Sequence, residues 1–184
     1  MIIEIKNVEG LTIPNNANNT DAGYDIVATS EPNIIGEKVD EDGVALWKSI
    51  SYIEYKTNVF ISPQSDYVND AFWATNAKNY HTLLFPRSSI SKYNLSLCNS
   101  IGLVDKCYIG ELMFRFNYIF QPADYTVGKN GIVGTVNYDK IYKIGDKIGQ
   151  LVISQTIHPE FKLVDELKAT LRGTGGFGSS DILK

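Results

Sequence analysis

The run Glu111-Leu112-Met113-Phe114-Arg115-Phe116-Asn117-Tyr118-Ile119-Phe120 alternates large apolar residues with others. Side chains on a strand point to opposite faces in turn, so this pattern is that of a half-buried β-strand. Working outward, short apolar or alternating runs rich in Val, Ile, Leu, Phe and Tyr recur at 53–62, 82–85, 95–98 and 147–153. Residues 1–6 read as a further strand. Gly, Asn, Asp and Pro punctuate these runs at short intervals, which favours turns. Few segments hold a helical period for three turns. Residues 88–93 could form one short helix, with Ser88 capping free backbone N–H groups. The pattern predicts an all-β chain, jelly-roll-like or a distorted barrel, with at most one short helix. No internal repeat is present.

Two stretches read as insertions between strands. Residues 64–80 are polar and aromatic, with Tyr67, Phe72, Trp73 and Tyr80. Residues 121–138 carry Gly128, Gly131 and Gly134 with little periodicity. Both fit solvent-exposed hairpins, and both also fit segments that pack at a subunit boundary or cover a site.

Bulk properties narrow the function. The chain has 184 residues, suited to one domain, and 43% are apolar, enough for a core. A net charge of −4 argues against general nucleic-acid binding, which needs a basic face. It leaves room for a local Arg/Lys cluster that binds a small polyphosphate. Two cysteines, Cys98 and Cys107, and two histidines, His81 and His158, are too few for a disulfide framework or a His/Cys metal site. The N-terminus lacks signal-peptide features, and no apolar run reaches membrane-spanning length. The expectation is a soluble intracellular protein, with no membrane partner.

Five segments could carry chemistry. Pro86-Arg87-Ser88-Ser89-Ile90 offers a planar guanidinium fork and hydroxyl donors for phosphate oxygens, and at a short helix start it makes an anion site. Taken alone, it also describes a capped turn with a surface Arg. In residues 99–110, Gly102 and Gly110 permit a tight hairpin, Asp105 follows an apolar pair and is expected to be part-buried as a general base, and Tyr108 offers a flat face for a sugar. A plain hairpin with an Asp turn fits the same letters. Asp21-Ala22-Gly23-Tyr24-Asp25-Ile26 places a Gly and a carboxylate at a strand start. Gly145-Asp146-Lys147-Ile148-Gly149-Gln150-Leu151-Val152 places the Gln150 amide in a buried strand, where it needs a partner. Arg172-Gly173-Thr174-Gly175-Gly176-Phe177-Gly178-Ser179-Ser180 reads as a flexible end, but a Phe among glycines suits a tail that closes over a ligand. A Walker-type phosphate loop would need Lys-Ser/Thr and a helix after the glycines, and neither follows.

In this order, the five segments resemble the five motifs of the homotrimeric dUTPase family, spanning residues 21–180 apart from the two insertions. The resemblance implies a β-clip fold in a threefold trimer whose active sites draw on all three chains. It implies one dUTPase domain over residues 1–184, with 172–184 as a mobile lid. The implied reaction is Mg²⁺-dependent hydrolysis of dUTP to dUMP and pyrophosphate, with Asp105 activating the water that attacks the α-phosphorus. Asp25 would act on the Mg²⁺ shell through water. Arg87, Ser88, Ser89 and Gln150 would grip phosphates. Tyr108 would stack beneath deoxyribose and exclude ribose, and the hairpin with Asn99, Gly102 and Val104 would read uracil and exclude thymine. From the tail, Phe177 would stack on the base, and Arg172, Gly176, Gly178 and Ser179 would complete the contacts.

The sequence departs from compact members of the family. Gly23 and Arg87 lie 64 positions apart, and Tyr108 and Gln150 lie 42 apart. Ile109 stands where Arg is common, and Gly149 where Ala is common. One rival is a dCTP deaminase of the same superfamily, but Asp105 in place of a Glu base and the intact tail argue against it. A second is a regulatory or interaction protein on the same scaffold, motivated by Tyr67, Phe72 and Trp73.

Overall fold

The computed structural model describes residues 2–41, 43–64, 80–129, 131–157 and 159–175. Twelve strands occur among them: β1 (Ile2–Ile5), β2 (Tyr24–Val27), β3 (Asn33–Glu41), β4 (Val44–Tyr55), β5 (Ile61–Gln64), β6 (Tyr80–Phe85), β7 (Leu95–Leu97), β8 (Gly102–Val104), β9 (Phe114–Tyr118), β10 (Tyr125–Gly128), β11 (Gly131–Gly134) and β12 (Lys147–Gln155). All the strand pairings are antiparallel. One sheet runs β2-β12-β6-β8; a second runs β10-β11-β4-β9-β7 with β3 also on β4; β1 pairs with β5. The expected all-β, jelly-roll-like class is what the chain adopts, as open sheets packed on one another rather than a closed barrel.

The alternation in residues 111–120 sets the core. Phe114, Phe116 and Tyr118 of β9 point inward, while Arg115 and Asn117 point out. Phe116 meets Tyr55 edge-on at 5.9 Å and Tyr142 at 5.4 Å, and Tyr142 lies 4.3 Å from Tyr93. Each ring removes roughly 150–250 Å² from water, about 4–6 kcal/mol at ~25 cal/mol/Å², so these aromatics dominate the interior. The Tyr55 hydroxyl donates to the Tyr142 carbonyl at 2.9 Å, and burial pushes its pKa well above the phenol range. Burial likewise raises that of Tyr142 to about 12. Gly149 of β12 is where this core leaves no space: a Cβ there would lie 2.2 Å from Phe114 Cε1. The volume of the methyl that is common at this position is taken here by the Phe114 ring.

The expected helix at 88–93 is a 3₁₀ segment, Ser88–Lys92, and two more 3₁₀ turns occur at Pro122–Asp124 and Tyr138–Lys140. Ser88 does not cap the first: Arg87 holds the cap position and no side chain caps it. The insertion at 121–138 forms the β10–β11 hairpin, rooted by buried Asp124. That carboxylate accepts from the Tyr118 hydroxyl at 2.9 Å and from Gln121 N–H at 2.8 Å. Most of the other insertion, 65–79, lies outside the described residues. A further long hairpin, β3–β4, was not foreseen. Its strands carry charges and two register irregularities, at Ile35/Gly36 and Glu37/Lys38, which break the alternation that a sequence reading depends on.

Candidate active site

Strand register assembles the first part of the site. Gln150 of β12 lies opposite Asp25 of β2 and opposite Phe85 of β6, from which the chain runs on to Arg87. A slip of one residue would turn Gln150 to the other face of the sheet. Asp25 is only 5% exposed. Its Oδ1 accepts from Gln150 Nε2 at 3.2 Å and lies 3.0 Å from Arg87 Nε; its Oδ2 lies 2.9 Å from Lys147 Nζ. The Arg87 contact is an ion pair rather than a directed hydrogen bond, because Nε, although buried, has no hydrogen-bond partner. Burial raises the Asp25 pKa, but hydrogen bonds from Lys147 and Gln150 and the charges of Arg87 and Lys147 outweigh it and hold the carboxyl below its ordinary range. The Gln150 amide thus has the partner its buried strand demanded. Ser88, exposed, and Ser89, half-buried, open the 3₁₀ segment just after Arg87.

The third segment forms a pocket of about 590 Å³, within the range of small-ligand sites. Asn99, Gly102, Val104, Asp105 and Tyr108 all line it, with Leu84 of β6 at its base. The β8 ladder on β6 sets Gly102 opposite Leu84. The left-handed residue of the turn is Ser100, at φ +58°, rather than a glycine. Gly110 has a different task. A Cβ there would lie 2.5 Å from the Tyr108 hydroxyl, so only glycine lets the ring fold back over the backbone. The Tyr108 hydroxyl donates to the Glu111 carbonyl at 3.0 Å. Asp105 was expected to be part-buried and is instead exposed in the single chain. It sits at the mouth of the pocket, past the last hydrogen-bonded residue of β8.

The tail stands apart. Arg172 is exposed and its Nε donates to the Gly175 carbonyl at 2.9 Å, closing a local turn through Gly173 at φ +54°. Gly176, Phe177, Gly178 and Ser179 lie outside the described residues. Before the turn, Phe161, Leu163 and Leu167 are 92%, 99% and 88% exposed.

Sequence reasoning missed Lys147, which completes the carboxylate's partners. It stands three residues before Gln150 on β12, and the pairing of that strand with β2 brings it to Asp25. Glu111 was read only as a strand residue, although it fixes Tyr108.

The described residues thus form a jelly-roll-like β chain that carries a charged cluster around Asp25 and a hairpin pocket. The dUTPase family model matches residues 123–181. The deoxyuridine 5'-triphosphate nucleotidohydrolase of Shewanella woodyi is 38% identical over 100 residues, 53% of this chain and 55% of that protein. That of Solanum lycopersicum is 29% identical over 95% of this chain and 78% of that protein. The chain thus spans about half the length of the Shewanella relative. Among solved structures, the Staphylococcus bacteriophage 80alpha dUTPase with dUPNHPP has a TM-score of 0.65 at 24% identity, covering 97% of each chain. The dUTPase of S. aureus phage phi11, described with a structural Mg(II) ion, has a TM-score of 0.58 at 26% identity, covering 92% of this chain and all of the other. The chain is thus similar to dUTPases in sequence over part of its length and in fold over nearly all of it.

Proposed function

We propose that the protein hydrolyses dUTP to dUMP and pyrophosphate. The observation that carries this reading is the convergence of distant segments. Residues 25, 87 and 150 meet in one cluster, and residues 99, 102–105 and 108 line one pocket, with β6 contributing to both. In this reading the pocket takes deoxyuridine: Asn99 and the hairpin backbone face the uracil edge, Gly102 and Val104 leave no room for a 5-methyl group, and Tyr108 lies under the deoxyribose. Arg87, Ser88, Ser89 and Gln150 bind the phosphates, with Lys147 adding charge. Asp105, exposed at the pocket mouth, orients and deprotonates a water directed at the α-phosphorus. Phosphoryl chemistry asks the protein mainly for position and charge neutralisation.

Mg²⁺ fits this arrangement as an ion carried by the substrate. No group of three or more His, Cys, Asp or Glu residues able to hold a metal occurs among the described residues. Both Asp25 oxygens already face Arg87, Gln150 and Lys147. Phosphate oxygens and water would therefore be the main ligands, with Asp25 acting through water. When bound, the ion neutralises triphosphate charge.

The proposed assembly is a homotrimer with shared sites. Its support is the apolar set Phe161, Leu163 and Leu167, which stands exposed among the described residues. Residues 172–184 then close a neighbour's site, with Phe177 over the base and Arg172, Gly176, Gly178 and Ser179 at the phosphates. Turnover of dUTP in ¹⁸O-water tests the mechanism. Label in dUMP supports attack at the α-phosphorus, and label in pyrophosphate alone would refute it.

A further inference from the structure

Tyr108 is 46% exposed, so packing alone does not fix its ring. What does fix it is the peptide on which it rests. The ring lies over Gly110 and its hydroxyl is held by the Glu111 carbonyl. Residues 109–113 belong to no strand, so no ladder holds that peptide in place. The Glu111 side chain does so instead. Its Oε1 accepts two consecutive backbone N–H groups, those of Thr57 and Asn58, each at 2.9 Å.

Consecutive N–H groups aimed at one oxygen form an anion-binding nest, and bonds to a charged acceptor are the stronger kind. Asn58 supplies the geometry. It stands at φ +55°, a left-handed conformation rare outside glycine, and its side chain donates to the Glu9 carbonyl at 3.1 Å. The same turn is tied to the next residue as well: fully buried Thr57 donates through Oγ1 to the Leu112 carbonyl, and Leu112 N–H donates to the Val59 carbonyl at 2.8 Å.

We infer that Glu111 is a positioning residue for sugar selection: its carboxylate, seated in the Thr57–Asn58 nest, fixes the height and tilt of the Tyr108 ring that separates deoxyribose from ribose. The inference rests on the reading of Tyr108 as the sugar platform. A ring that can drift by a fraction of an ångström loses the steric exclusion of a 2'-hydroxyl, because that exclusion depends on close contact.

The test is the ratio of kcat/KM for dUTP to that for UTP, measured on the full chain. Glu111→Ala and Tyr108→Phe should each lower the ratio about five- to tenfold. The double variant should be no worse than either single one, as coupled residues behave. Glu111→Gln keeps the acceptor without the charge and should lie between. An unchanged ratio in Glu111→Ala, even with a lower melting temperature, would make Glu111 merely structural and overturn the inference. Should Glu111→Ala fail to fold, Glu111→Gln decides in the same way. A wild-type chain that hydrolyses dUTP without preferring it over UTP would remove the inference alone, whereas one that hydrolyses neither would remove the functional reading beneath it.

Discussion

Asp25 and Asp105 differ in everything except their side chain. Asp25 is buried in a sheet, held by Gln150, Arg87 and Lys147, with its pKa lowered by them. Asp105 is exposed beside an open pocket. On the proposed reading these surroundings go with different roles: the carboxylate locked among cations organises charge, and the exposed one acts on the attacking water. The same contrast separates the regions around them. The Asp25 cluster is complete within one chain. The pocket of Asp105 and the arm ending at Arg172 are open on the side where, on the proposed reading, other chains contribute.

The largest effect is expected at the free carboxylate. Asp105→Asn should cut dUTP turnover about 1,000-fold, in the range of a lost general base, while dUTP binding by calorimetry stays near wild type. Retained turnover would strip Asp105 of its role and erase the contrast. Next comes the tail. A chain stopped after Leu171 should keep its fold and oligomeric state yet turn over dUTP about 100-fold more slowly, as a lost lid implies. Wild-type turnover by that chain would end the lid proposal.

The arm sharpens the comparison at the level of assembly. Replacing Leu163 and Leu167 together by Ser should weaken self-association at least about tenfold by light scattering, since each buried Leu is worth roughly 1.5–3 kcal/mol. An unchanged oligomer would mean that this apolar row is covered by nothing. The smallest effect is expected at Asp25, and it depends on pH. The folded-state pKa lies below the ordinary value of 3.8, so this group stabilises the fold fully above about pH 4 and loses that contribution as pH falls further. Asp25→Asn should cost about 1 kcal/mol near neutrality, modest because Arg87 and Lys147 are partly exposed, and should flatten the acid limb of the stability curve. A melting profile parallel to wild type down to pH 2 would show that the ion pairs do not act as drawn.

Much of this was legible in the sequence, for reasons particular residues explain. Phe114, Phe116 and Tyr118 alternate strictly, so β9 and the β class could be read at once. The segments around Asp25, Arg87, Gln150 and Tyr108 each have a chemical signature, and their order tied them together. The β3–β4 hairpin stayed hidden because its bulges break the alternation. Lys147 stayed hidden because only the pairing of β12 with β2 brings its ammonium to Asp25. Glu111 was concealed for a like reason: its partners, Thr57 and Asn58, lie more than fifty residues away, and they act through backbone N–H groups that carry no side-chain signature. The exposure of Asp105 was misjudged because two apolar neighbours do not bury a residue at the open end of a hairpin.

The proposed function is selective hydrolysis of one deoxynucleotide. Pyrophosphate release should be measured with dUTP, UTP, dTTP and dCTP side by side. Release from dUTP should be rapid, at least about 100-fold faster in kcat/KM than from the other three, with dUMP as co-product. Equal rates across the four, or ammonia released from dCTP, would contradict it.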